Sequence, residues 1–362
     1  MRPLAGCFAA SAAGAGWVLA GYPLVLSLLR PRPWRRDEDA EPAVTIVVPA
    51  FREREALAAK LAALTALDYP AERVQVLVPV DEDEVTARAA RGALPSADVL
   101  FSPTRGGKAA GLNRALTEAS GDIVLLTDAN NLLDPGSLRA AARHFADPAI
   151  WAVAGARRES GSAYDRYEDL LRRLESRSGD VAAMSGEFMC VRRERLPRFP
   201  EDVVNDDLWL LCALVRGGGR VVYDPAACSH EPGLDARSEL ERRSRMGAGR
   251  LMLLAELRDL PPRFAWRLLS HKHGRLALPF LLLGAFLSSL GLGGRGPFRA
   301  VALAQIAVYG AGALAIAGVT PPGPAGRAAR AAGQFLLGNA AVAAGVVRAL
   351  RGRQSARWEA VR

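Results

Sequence analysis

Residues 4 to 29 contain no charged side chain, and neither do residues 276 to 292 or 300 to 319. About 20 apolar residues suffice to cross a bilayer as a helix. Such runs at both ends of the chain restrict it to a globular section between membrane helices. Residues 331 to 347 are a further, weaker candidate containing Gln334 and Asn339. Arg30, Arg32, Arg35 and Arg36 directly follow the first run. A cluster placed there reads as a positive-inside signal and holds the middle section in the cytosol, at a bacterial-type inner or plasma membrane. A cleavable signal peptide carries its basic residues before a shorter apolar core, so the first run is expected to stay as an anchor. The C-terminal end leaves a conflict. If all three segments there span, the tail with Arg348, Arg351, Arg353, Arg357 and Arg362 ends outside, where the charge rule does not want it. Either the last segment lies in the interface or the rule fails here.

The chain is 50% hydrophobic yet 23% charged, as a mixed globular and membrane protein would be. Its net charge of +9 sits in arginine clusters beside apolar runs, without interleaved aromatics, and no nucleic acid is expected as a partner. Cys7, Cys190, Cys212 and Cys228 show no paired spacing. They read as buried thiols in a reducing compartment.

Between the apolar runs the pattern alternates. Val44 to Val48, Val74 to Val80 and Ile123 to Leu126 are β-branched or leucine-rich runs that end at Pro49, Asp81 and Thr127-Asp128. Glu55 to Leu67, with leucines at 57, 61 and 64, and Lys108 to Ala119 fit helices. Strands alternating with helices predict an α/β fold with a mostly parallel sheet, whose ligands bind beyond the carboxyl ends of the strands. Further on, a charged helix is expected over 164–177, a strand and turn over 182–192, a helix over 207–216, a short strand over 220–223 and an Arg-rich helix over 239–257.

The polar residues fall at those strand ends. Asp128 and Asn130 stand two apart in a turn, where their oxygens can reach one hard cation, Mg2+ or Mn2+, shared with substrate phosphates. A turn by itself also favours Asp and Asn. Asp206 and Asp207 open a helix, where Asp is favoured as a cap and where a carboxylate can also serve as general base. Arg105-Gly106-Gly107-Lys108 precedes a helix N-terminus and suits phosphate approach, though it is no Walker loop. Arg242, Arg243 and Arg245 can clamp a diphosphate or meet lipid headgroups.

In this order the motifs resemble the family 2 glycosyltransferases, the membrane-anchored kind related to processive polysaccharide synthases. Ile46-Val47-Val48-Pro49-Ala50-Phe51-Arg52-Glu53 resembles their opening "VIPAYNE" strand, and Leu67-Asp68-Tyr69-Pro70 their "LDYP". Gly107 to Asn113 resembles "GKAxALN", Asp128-Ala129-Asn130 stands in the DxD position, Asn205-Asp206-Asp207 in the "TED" position, and Arg242 to Gly249 in the place of "QxxRW". Leu269-Ser270-His271-Lys272 is also similar to this group.

The resemblance implies a GT-A fold, a Rossmann-like mixed sheet with transmembrane helices at both ends. It implies an inverting transfer from a nucleotide-diphosphate sugar to a glycan or lipid-linked acceptor. Asp207 would be the catalytic base, and Pro49, Glu53, Asp81, Lys108, Asp128 and Arg245 the nucleotide-sugar contacts. Asp128 and Asn130 would hold the metal, and Gly186 and Asp206 would face the acceptor. Two departures stand out: Asn130 replaces the second acid of DxD, and Arg242 and Met246 replace Gln and Trp of "QxxRW". The rival readings are a polyprenyl-phosphate acceptor, a non-catalytic scaffold of the same fold and, least favoured by so few spans, a small transporter. The expected layout is an anchor at 1–30, a basic Pro-rich linker at 31–43, the GT-A domain at 44–245, an interfacial helix region at 246–274, transmembrane or interfacial helices at 275–350 and a basic tail at 351–362.

Overall fold

The computed structural model describes residues 2–158, 163–203, 205–230, 244, 246, 247, 249, 251, 253–294 and 296–351. Two compact units form, one from the described residues of Leu29–Gly233 and Ala255–Arg267, the other from those of Met1–Leu28, Leu234–Leu254 and Leu268–Gln354.

The first unit is built on an eight-stranded sheet in the order β3-β2-β1-β4-β7-β6-β8-β5. Its centre is β1 (Val44–Val47), parallel to β2 (Val74–Asp81) on one side and to β4 (Ile123–Leu126) on the other. All residues of β1 and β4 are buried. A parallel strand covered on both faces is mostly apolar, which is why these runs do not alternate, and the one polar side chain of β1, Thr45, donates to Gln75 at 2.8 Å. β3 (Asp98–Ser102) extends the parallel half. β7 (Met189–Arg192) runs antiparallel to β4 and to β6 (Ile150–Arg158), making the sheet mixed, as a GT-A sheet is expected to be. β6 then pairs parallel with β8 (Arg220–His230), and the short β5 (Leu132–Leu133) closes the edge antiparallel to β8.

β8 runs to His230, well past the expected end at Tyr223, across an irregularity between Gly155 and Ala156 opposite Asp224 and Cys228. The expected strand over 182–192 shrinks to Met189–Arg192. Helix Glu84–Ala93, between β2 and β3, is capped by Asp83, whose side chain accepts from the backbone N–H groups of Val85 and Thr86.

The stretch expected as a linker lies against this unit as an extended strap. Trp34 Nε1 donates to His144 Nδ1 at 2.8 Å, and Arg35 N donates to Asp147 at 3.1 Å. Arg143 pairs with Glu38 at 2.8 Å, and Tyr69 donates its hydroxyl to the carbonyl of Pro42 at 2.7 Å.

Among the described residues, four helices are long and apolar enough to cross a membrane: Arg2–Leu28, Pro262–Gly291, Gly296–Ile316 and Gly323–Leu350. The segment expected from 276 begins at Pro262, and the one expected over 331–347 reaches from Gly323 to Leu350. In the second unit, single π-helical turns interrupt two of the helices at Trp17–Gly21 and Leu269–His273, and they meet each other. Trp17 Nε1 donates to Ser270 Oγ at 3.2 Å, and the Tyr22 and His271 rings lie 6.3 Å apart. The expected helix 239–257 falls largely outside the described residues, as do Arg242, Arg243 and Arg245 and all of the tail beyond Arg351.

Candidate active site

β1, β2 and β4 end on one edge of the sheet, and the chain turns sharply there. Arg52 and Glu82, just beyond β1 and β2, have φ values of 56° and 53°. Side chains with a Cβ seldom adopt that region, and when they do it is commonly at functional sites. A cleft opens between these ends, lined by Pro49, Phe51, Pro79, Asp81, Arg105 and Lys108. Arg105 lies over the Phe51 ring, 4.3 Å from its centroid.

Asp81, buried at the end of β2, shapes the cleft floor. Its Oδ2 accepts from the N–H groups of Gly106 and Gly107 at 3.0 and 2.9 Å, and its Oδ1 pairs with Arg114 at 2.9 Å. The expected nucleoside contact thus fixes the Gly-Gly turn that leads into helix Lys108–Glu118. Gly107 at φ 85° is the residue that makes this turn possible. Further along the helix Asn113 exchanges two hydrogen bonds of 2.8 Å with the backbone of Phe199, tying down the segment that leads to Asp206.

Lys108 is the centre of the site. Its Nζ lies 2.9 Å from Asp128 Oδ1 and 2.9 Å from Asp206 Oδ2. Burial works against its charge, but the two carboxylates prevail and hold it above the ordinary lysine range. Gly186 packs against this pair: a Cβ there would stand 3.2 Å from Asp128 Oδ2 and 3.5 Å from Lys108 Nζ. Four of the expected residues, Lys108, Asp128, Gly186 and Asp206, therefore converge. Asp207, on the first turn of helix Asp206–Arg216, is buried and accepts from its neighbour's N–H, Leu208, at 2.7 Å. The positive end of that helix faces both acids.

The oxygen donors suit a hard cation. Glu53 Oε2 is buried and makes no hydrogen bond among the described residues. Burial, then the nearby charge of Asp128, push the Glu53 carboxyl up to about 7. A buried acid raised in this way beside a second carboxylate marks a place where a divalent ion would relieve the repulsion. A second donor set, Asp134, Cys228 and His230, has its ligand atoms within 4.8 Å of one another. Here the bonds are complete: Asp134 takes the Cys228 thiol at 2.6 Å, His230 Nε2 and Arg158 at 3.3 Å. Burial and the Asp134 contact push the thiol up to about 12, and a neutral thiol is a poor ligand. This set clasps β5 to β8. A cavity of about 470 Å3 at the amino end of β4 is walled by Arg192 and Arg193, whose guanidinium groups are engaged with backbone carbonyls.

Several site residues had no motif to announce them. Lys60 donates to Thr127 Oγ1 at 2.8 Å and to Asn131 Oδ1, directly beside Asp128. Glu187 pairs with Arg157 at 3.1 Å. For Lys60 a signal did exist: it stands in the stripe Leu57, Lys60, Leu61, Leu64, where an amphipathic helix has an apolar residue.

Known proteins share this architecture. The mannosyltransferase PcManGT from Pyrobaculum calidifontis, solved in complex with GDP-Man and Mn2+, superposes with a TM-score of 0.77 at 25% identity, covering 97% of this chain and 100% of that one. An N-acetylglucosaminyltransferase of Rhizobium meliloti (strain 1021) is 28% identical over 215 residues, 51% of this chain and 50% of the relative. The chain thus spans about half the length of that curated relative. Residues 42–249, which carry the whole sheet and the cleft at its carboxyl edge, match glycosyltransferase like family 2, and the chain belongs to that family.

Proposed function

We propose that the chain is a membrane-bound, inverting glycosyltransferase that moves a sugar from a nucleotide-diphosphate donor to a glycan or lipid-linked acceptor at the cytosolic face of a plasma-type membrane. The observation that carries this reading is the double ion pair of Lys108, 2.9 Å from both Asp128 and Asp206, at the strand edge beside the Asp81 cleft. Asp81 and the Gly106-Gly107 turn form the nucleoside and phosphate end. Asp207 accepts the proton of the acceptor hydroxyl as that oxygen attacks the anomeric carbon. The bond to the diphosphate breaks with its electron pair leaving on the diphosphate oxygen. Lys108 is freed from its carboxylates to offset that charge, the kind of preset electrostatic help that often dominates a barrier. Asp128 and Asn130 would hold Mg2+ or Mn2+, which neutralises a diphosphate leaving group when bound. Arg245 would join the diphosphate clamp, and Gly186, having no side chain, leaves room for the acceptor.

The purified full-length chain, incubated with a panel of sugar nucleotides and membrane extract, should release nucleoside diphosphate from one of them and add its sugar mass to an acceptor. Release and transfer should both stop in chelator. No release from any donor would sink the proposal. Sidedness is tested by Arg91→Cys in a background without native cysteines. We expect protection from an impermeant thiol reagent in intact cells and labelling after lysis; labelling in intact cells would reverse the orientation.

A further inference from the structure

Lys60 lies on helix Arg54–Leu64 and, like Leu57 and Leu61 beside it, is 0% exposed. Lysine almost never goes fully under unless its amine is bonded. Here Nζ donates to Thr127 Oγ1 at 2.8 Å and to Asn131 Oδ1. These two residues bracket the Asp128-Ala129-Asn130 turn. Both hand the bond on to a single acceptor. Thr127 Oγ1 donates to the carbonyl of Glu187 at 2.7 Å, and Asn131 Nδ2 donates to the same oxygen at 3.2 Å. Glu187 follows Gly186, the residue packed against Asp128. One amine thus joins three pieces of chain: the first helix of the sheet unit, the turn after β4 and the segment before β7.

The chemistry of the amine fits the network. Burial pushes Lys60 down to about 7, against the pull of the Asp128 and Glu187 charges. A methionine would fill the same space without burying an amine, but it would leave Thr127 Oγ1 and Asn131 Oδ1 without that donor.

We infer that Lys60 is a positioning residue for the site: through Thr127 and Asn131 it locks the Asp128–Asn130 turn to the Gly186–Glu187 segment, setting where the Asp128 carboxylate meets a metal–diphosphate. Its last clause rests on the function proposed above; the locking does not.

The test uses the full-length chain with Lys60→Met, read by amide hydrogen exchange and by thermal unfolding. Peptides covering 127–131 and 185–188 should exchange at least about tenfold faster, together, while peptides from the rest of the sheet unit keep their wild-type rates in a protein that still unfolds cooperatively. Affinity for Mn2+ in the presence of GDP or UDP, followed by the Mn2+ resonance signal, should fall at least about tenfold. Thr127→Val and Asn131→Leu, which keep side-chain shape, should each loosen the 185–188 peptides and provide the same readout if Lys60→Met does not fold. Unchanged exchange in both segments would overturn the inference. Loosened segments with unaltered Mn2+–nucleotide affinity would overturn the clause about the carboxylate. Wild-type protein that binds no Mn2+–nucleotide at all, with the segments still loosened by Lys60→Met, would sink the proposed function and leave the lock standing.

Discussion

Two polar clusters in the sheet unit use the same residue types to opposite ends. Beneath the strap, Asp224 Oδ2 takes hydrogen bonds from Arg143 at 2.6 Å and His144 Nε2 at 2.6 Å, while its Oδ1 accepts from the N–H of Ala226 at 2.9 Å. Trp34 donates to the other His144 nitrogen, which leaves the ring proton on Nε2, facing Asp224. Burial would raise Asp224, but these bonds hold it well below the usual carboxylate range. At the strand edge the count does not close. Lys108 is shared between two acids, and Glu53 keeps an unbonded buried oxygen. A cluster with every bond made stabilises the fold. A cluster with a buried oxygen left unbonded among the described residues has a place for a ligand.

The comparison breaks first at the base. Asp207→Asn keeps size and helix-start polarity but cannot take a proton, and we expect transfer to fall about 100-fold or more with donor binding retained. Wild-type turnover in Asp207→Asn with none in Asp206→Asn would move the base to Asp206. Asp128→Ala should abolish nucleotide-dependent metal binding, measured by calorimetry, and Asn130→Asp should tighten it by adding charge for a hard cation. Full activity in chelator would remove the metal from the site.

The closed cluster should respond in stability and not in rate. Asp224→Ala leaves a buried histidine and an arginine without their acceptor, at a cost of about 2 kcal/mol in denaturant unfolding, with kcat kept. The sign with pH follows from the depressed native value. The contribution is complete above the unfolded carboxylate value of about 3.9 and is lost as pH falls below it, so wild type and variant should converge in acid. A drop in kcat at unchanged stability would reverse the assignment of the two clusters.

The central strands were legible because burial on both faces leaves mostly Val, Ile and Leu, and the strand ends then located Pro49, Asp81 and Asp128. β6 was not. Its Ala152, Ala154 and Gly155 are small because the packing is close: a Cβ on Gly155 would meet the Ala227 carbonyl at 2.4 Å. β3 sits on the sheet edge, and its apolar run is only three residues long, Val99-Leu100-Phe101. β8 contains Pro225 at its irregularity, which reads as a strand end. Charges concealed the true start of the helix at Pro262. Arg267 looks like a boundary residue but is buried, donating to the carbonyls of Glu175 and Asp180 at 2.6 and 2.9 Å. The motifs placed Lys108, Asp128 and Asp206 on the right edge. Their ion pairing came only with the fold, since residues 108 and 206 open two different helices and residue 128 lies in the turn after β4.

The smallest effect lies at Glu53, and it sharpens the contrast because removing an acid from the open cluster should help the fold. The native Glu53 carboxyl is raised from 4.5 to about 7, so the native state keeps a proton that the unfolded chain has already released. Stability from this group is whole below about 4.5 and declines as pH rises through 7, after which the penalty stays constant. Glu53→Gln carries no such penalty. Its unfolding midpoint should match wild type near pH 4.5 and exceed it by a few degrees at pH 8, on the scale of about 1 kcal/mol expected for removing an unrelieved buried charge. Adding Mn2+ with a nucleoside diphosphate should reduce that gain, because a cation held at Asp128 would offset the charge that acts on Glu53 in addition to burial. A Glu53→Gln midpoint that tracks wild type at every pH would mean that the Glu53 carboxylate is already compensated, and the strand-edge cluster would then be as closed as the one around Asp224.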